Sequence, residues 1–207
     1  MGKTSFQACA HNGRAGLNHG AFTAAGFDFA NTIKYFLPNI TLSLEFGERA
    51  SIPAEVWHLK TAYKANWGKM GDVLKHFEEA RARGLDVSAN MYPYDRASNG
   101  LDACLPLWVR EGGLDQMLQR LQDPSLRDRI KRDMDDPNAK DWENQWYGSG
   151  GGAGVMISTV LDPALRKWEG KNLVEIGKEM GKDPRDAAMD LVIADRGETS
   201  VIISIMR

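Results

Sequence analysis

A chain of 207 residues is long enough for one domain with a substantial core or two small ones, and 43% hydrophobic with 26% charged residues is the balance of a globular protein. The formal net charge of −2 supplies no basic field for a nucleic acid, so that class of partner is set aside. No apolar run approaches the roughly 20 residues a membrane helix needs, which argues against a membrane partner.

The first stretch, Met1 to Phe46, is rich in Gly, Ala, Asn and Phe and shows neither helical nor strand periodicity, so irregular structure is expected there. Its start, with Lys3 and Arg14 enclosing no continuous apolar core, is not read as a signal peptide. From Gly47 onward the pattern is consistent. Ala54-Glu55-Val56-Trp57-His58-Leu59, after Pro53, reads as a buried strand. Lys69 to Arg83 reads as a helix, with Val73, Leu74, Phe77 and Ala80 on one face and Gly84 as its stop. Leu85 to Met91 is the next strand, ended by Tyr92-Pro93-Tyr94, and strand, helix and strand together predict a parallel crossover.

Leu114 to Leu121 and Ser125 to Met134 read as two short helices separated by Asp123-Pro124, the second ended by Asp136-Pro137. With the Trp- and Gly-rich run that follows, they make a helical and glycine-rich insertion over about 102–154. Val155 to Val160 reads as a strand, and Leu173 to Met180 as a helix stopped by Gly181. A last helix starts at Asp183-Pro184, an N-cap followed by proline at the first helical position, and runs to about Asp195. Ser200 to Met206 is a β-branched strand. Alternating elements of this kind predict an α/β fold with a parallel sheet.

Few residues stand out chemically. His58 closes an apolar strand, and in a barrel that end faces the mouth. A neutral imidazole there can ligate zinc; the alternative is a hydrogen-bonded histidine at a strand end. Lys60, two residues on, falls on the same side of a strand and can hold a substrate carboxylate. Tyr92 and Tyr94 present hydroxyls at the end of the next strand, or simply pack. Ser98-Asn99-Gly100 has the composition of a turn. Gly148 to Gly154 lacks the Lys-Ser or Lys-Thr of a phosphate loop and reads as a flexible loop, while Gly2-Lys3-Thr4-Ser5 lacks the earlier glycine of that motif. His76 reads as a surface or boundary residue; His11 and His19 receive no role. Cys9 and Cys104 form no C-x-x-C pair and read as free thiols, which fits a reducing compartment; cytoplasmic is the default location, with export of a parent protein left open.

The run Ile52 to Lys60, with its His-x-Lys, resembles a strand of the N-acyl-D-amino-acid deacylases of the amidohydrolase superfamily. So do Tyr92-Pro93-Tyr94 followed by Ala97 to Leu101, Gly170 to Gly177, Lys182-Asp183-Pro184 with Ala187 to Leu191, and Ser200 to Met206. The resemblance covers roughly 47–207, leaving 1–46 unmatched, and it implies part of a TIM barrel of the metal-dependent hydrolase type, an incomplete barrel. It implies zinc as cofactor, polarising a scissile amide and activating water, and an N-acyl-D-amino acid as the small-molecule substrate. Carried onto this sequence, His58 is a metal-ligand position; Lys60, Tyr92 and Ser98 touch the substrate carboxylate or its surroundings; and Met206 lines the side-chain pocket.

The departures are equally specific. The family's His-x-His, its further Cys or acidic ligand and its earlier metal histidine have no counterpart here, and the neighbourhood of the last is Gly26-Phe27-Asp28-Phe29. The family's catalytic aspartate follows the position of Met206, where this chain stops at Arg207. The expectation is therefore an inactive fragment, truncated or frame-shifted over Met1 to Phe46, with open sheet edges through which copies can pair. The alternative is a non-catalytic α/β substrate-binding or interaction module; a nucleotide-binding protein rests on glycine-rich segments alone.

Overall fold

The computed structural model describes Phe22–Thr23 as backbone, Leu44, and residues 47–56, 58–139 and 142–206. The expectations for the rest of Met1 to Phe46, including Gly2 to Ser5, Cys9, His11 and His19, lie outside the described residues, as do those for Trp57, Asp141 and Arg207. Described in chain order are β1 (Phe22–Thr23), β2 (Ala54–Val56), α1 (Met70–Ala82), β3 (Val87–Ala89), β4 (Ala97–Gly100), α2 (Leu107–Arg110), α3 (Leu114–Gln122), α4 (Pro124–Met134), α5 (Gln145–Gly148), β5 (Val155–Thr159), α6 (Leu173–Met180), α7 (Pro184–Ala194) and β6 (Ser200–Ile203). The chain divides into two compact units between Pro93 and Tyr94.

The first unit holds a parallel sheet in the order β1-β2-β3. Phe22–Thr23 is thus a strand inside a stretch expected to be irregular, paired to Ala54 and Glu55. The crossover from β2 through α1 to β3 is the parallel unit its sequence predicts, with Ala54 opposite Val87 and Val56 opposite Ala89. Helix α1 buries Val73, Phe77 and Ala80 at a spacing that keeps them on one stripe, and they pack with Ala54, Val56, Leu59 and Val87. Leu74, expected on that stripe, is 50% exposed, because only the three residues spaced by about one turn share the sheet-facing side. The Arg81 guanidinium donates to the Val87 carbonyl at 3.0 and 3.1 Å, tying the end of α1 to the start of β3.

The second unit is built around an antiparallel sheet, β4-β6-β5, with β6 in the centre. A parallel sheet is therefore correct for the first unit only. Both α6 and α7 lie between β5 and β6, and the two strands pair antiparallel. Ser98-Asn99-Gly100, expected as a turn, is a strand paired with Ile202, Val201 and Ser200; its turn-like composition is overridden by β6 lying alongside. Val155, Ile157, Val201 and Ile203 are fully buried and alternate with partly exposed Met156 and Ile202. The core continues into Leu173 and Ile176 of α6 and Ala187, Ala188, Met189 and Val192 of α7, all fully buried. Each large side chain so placed contributes about 1.5–3 kcal/mol.

Helix ends in this unit follow their chemistry. Asn172 and Glu175 form a reciprocal capping box at α6, and Gly181 closes that helix with φ 64°. The Asp183 carboxylate accepts from the Arg185 backbone amide at 2.8 Å to cap α7. A part-buried ion network ties α4 to α7: Arg127 meets Asp186 and Asp190 at 3.3 and 2.6 Å, and Lys131 meets Asp186 at 3.2 Å. The run Gly148 to Gly154, expected as a flexible loop, is packed structure: the last residue of α5, then a 3-10 turn at Gly151–Gly154. A Cβ on Gly154 would lie 2.0 Å from the Ser149 carbonyl oxygen, so the glycine there serves close backbone approach.

Candidate functional site

The sequence-singled residues of the first unit meet at the C-terminal ends of β2 and β3. His58 follows β2 in the left-handed region, with φ 54°, and its side chain is exposed. Its ring stands edge-on to Tyr92, centroids 5.2 Å apart at 77°. Lys60 places its ammonium 5.3 Å from the centre of the same Tyr92 ring and donates to the His58 carbonyl at 3.1 Å. Leu59, between them, is buried in the core under the sheet. An imidazole, an ammonium and a phenol thus converge.

The convergence does not come from strand alternation as the spacing suggests. β2 ends at Val56, and a left-handed residue, not a pleat, swings His58 toward the side taken by Lys60. The ladder explains the turn. The Asn90 amide donates to the Val56 carbonyl at 3.1 Å, but the Asn90 carbonyl accepts from Leu59 at 2.8 Å. In a regular parallel ladder it would accept from the residue two beyond Val56. One extra residue is therefore accommodated, a bulge of the kind that re-aims side chains. The displaced His58 amide donates to the Asn90 side-chain oxygen at 2.9 Å, and the Asn90 amide nitrogen donates to Glu55 at 3.0 Å. Asn90 was not singled out by sequence reasoning. The available signal was an amide side chain at the end of the strand beside the one that carries the histidine.

The Tyr92 phenol is a hydrogen-bond donor at neutral pH, as tyrosines ordinarily are, and partial burial shifts its pKa further up. A protonated phenol beside an ammonium suits an anion such as a carboxylate. Tyr94 is 71% exposed and belongs to the second unit.

Ser98 and Met206 also lie in the second unit. Ser98, exposed on β4, pairs with Ile202 near the C-terminal end of β6, and Met206 lies three residues beyond that strand's end. The structure thus groups His58, Lys60 and Tyr92, and separately sets Ser98 and Met206 at one end of the antiparallel sheet. His76 sits on α1 with its ring nitrogen 2.7 Å from the Asp72 carbonyl, a local helix contact. Cys104 is fully buried, and burial with the nearby Asp102 carboxylate pushes its thiol up to about 12, so it is no nucleophile. Among the described residues, no group of three or more His, Cys, Asp or Glu side chains could hold a metal ion. No described helix is long and apolar enough to cross a membrane.

No family model matches the chain. A 55-residue stretch is 38% identical to the N-acyl-D-glutamate deacylase of Alcaligenes xylosoxydans xylosoxydans, covering 27% of this chain and 11% of that protein. The N-acyl-D-glutamate deacylase of Bordetella bronchiseptica, solved with zinc and a phosphonate mimic of the tetrahedral intermediate, aligns over 84% of this chain with TM-score 0.53 and 18% identity. Over that short stretch, and in fold, the chain is similar to N-acyl-D-glutamate deacylases. It spans 26% of the length of the Bordetella deacylase. A D-aminoacylase structure aligns over the same shares of the two chains, with TM-score 0.49 and 20% identity. The likeness to the solved deacylase is one of mixed α/β fold.

Proposed function

We propose that this chain is part of a metal-dependent hydrolase of N-acyl-D-amino acids. In this reading it contributes the substrate-carboxylate side and one metal-ligand position to a segment of a TIM-type barrel. The observation that carries the reading is the convergence of His58, Lys60 and Tyr92 at the ends of parallel strands β2 and β3, where barrel hydrolases place their chemistry. Lys60 supplies the cation for the substrate carboxylate, Tyr92 a donor, and His58 an imidazole for zinc; in the second unit, Ser98 is a separate substrate-contact position and Met206 a side-chain-pocket position. Zinc, when bound in such enzymes, polarises the amide carbonyl and acidifies a water.

The described residues do not by themselves fit a zinc ion, which takes three or four protein ligands. The described residues are therefore proposed to bind substrate, with no metal chemistry assigned to them. A non-catalytic binding module that keeps the substrate-side residues is the second reading, favoured by that same poverty of ligands. Zinc binding by the chain that is lost in His58→Ala would belong to the first reading alone.

The substrate side is tested by calorimetric titration with N-acetyl-D-glutamate and its L-enantiomer. The expected result is binding that favours the D-form and weakens about tenfold in Lys60→Met, the loss of one charged contact. Equal, or absent, binding by the wild type and Lys60→Met would contradict the proposal.

A further inference from the structure

We infer that Asn90 is a positioning residue that sets the geometry of the His58–Lys60–Tyr92 cluster; the inference deepens the proposed function and rests on it for its ligand. Three contacts carry it. The Asn90 main chain donates to Val56 and accepts from Leu59, which brackets the extra residue of β2. Its side-chain oxygen then takes the one amide this bulge leaves over, that of His58, at 2.9 Å. Its side-chain nitrogen is held by Glu55 at 3.0 Å, which fixes which end of the amide faces His58.

The consequence runs through the backbone. His58 occupies the left-handed region, which a residue with a Cβ adopts only when its surroundings hold it there. Asn90 supplies that hold on the amide side. On the other side the Lys60 ammonium donates to the His58 carbonyl, so the same turn that points the imidazole at Tyr92 also positions the ammonium over that ring. If the amide is released, His58 is free to return to extended backbone, and both its ring and its carbonyl leave their places. Asn90 touches no substrate in this scheme; it acts through His58 and Lys60. An asparagine suits the task because one planar group must accept from His58 and donate to Glu55 at once.

The test uses the full chain, with His58 13C and 15N chemical shifts as a reporter of its backbone conformation and N-acetyl-D-glutamate as the probe of binding. In Asn90→Ala the left-handed signature of His58 is lost and binding weakens about tenfold, like removal of one charged contact. Asn90→Asp combined with Glu55→Gln, which keeps the acceptor for His58 and restores a donor–acceptor pair with position 55, retains the His58 signature, and it replaces the alanine variant should that one not fold. An unchanged His58 signature in Asn90→Ala, or its loss in that double variant, overturns the inference. Absence of probe binding by the wild type sinks the proposed function instead, while the His58 shifts still decide the role of Asn90.

Discussion

The two units of the chain divide their tasks differently. In the first, two three-residue strands and one helix form a small core, and the polar groups gather at the strand ends around a left-handed His58. In the second, every helix from α4 to α7 begins at an Asp or Asn whose side chain accepts from the first turn, and the central strand is buried along one face. A left-handed His58 stands among the polar groups of the first unit, and closely fitted helix ends mark the second. Residues chosen for packing should therefore matter most in the second unit, and residues chosen for position should show in binding before they show in stability.

The largest expected effect is at Gly154. Gly154→Ala puts a Cβ 2.0 Å from a backbone oxygen, and urea unfolding should show a loss of about 3 kcal/mol. Gly84→Ala in the first unit, with nothing within 4 Å but φ +88°, should cost only about 1 kcal/mol. Similar losses at the two sites would break the contrast. Next is Asp195, a buried carboxylate accepting from the Leu161 amide at 3.1 Å, the Asp162 amide at 2.7 Å and the Thr199 hydroxyl at 2.8 Å. Asp195→Ala strands those donors and should cost about 2–3 kcal/mol, while Asp195→Asn, which keeps one acceptor, should cost less.

A smaller effect separates cap from charge at α7. The Arg185 guanidinium, with the local amide bond, lowers the Asp183 carboxyl to about 2. A carboxyl depressed in the folded state contributes stability above its ordinary value near 4, and that contribution fades as pH falls toward about 2. Asp183→Asn keeps the cap without the titration. The stability advantage of the wild type over this variant should shrink between those pH values in denaturant melts; an advantage independent of pH would assign the whole effect to packing.

How far the fold was legible follows the same division. The bounds of α6 and the start of α7 could be read because Asn172, Gly181 and Asp183-Pro184 are local signals that specify helix ends wherever they stand. The strand at Ser98-Asn99-Gly100 could not, because it exists through pairing with β6, which lies far along the chain. At the site, His58, Lys60 and Tyr92 were legible as residue types at strand ends. Their actual geometry was not, since it depends on a one-residue bulge and on Asn90, a partner 32 positions away from His58. Glycine content misled at Gly154, where the small residue is needed for close packing and not for motion.

The central claim, that the ends of β2 and β3 form a carboxylate-binding cluster, is met most directly by mapping backbone amide shifts during addition of N-acetyl-D-glutamate. Saturable shifts centred on His58 to Lys60 and Asn90 to Tyr92 are predicted. Shifts confined to other parts of the chain, or none at all, would contradict it.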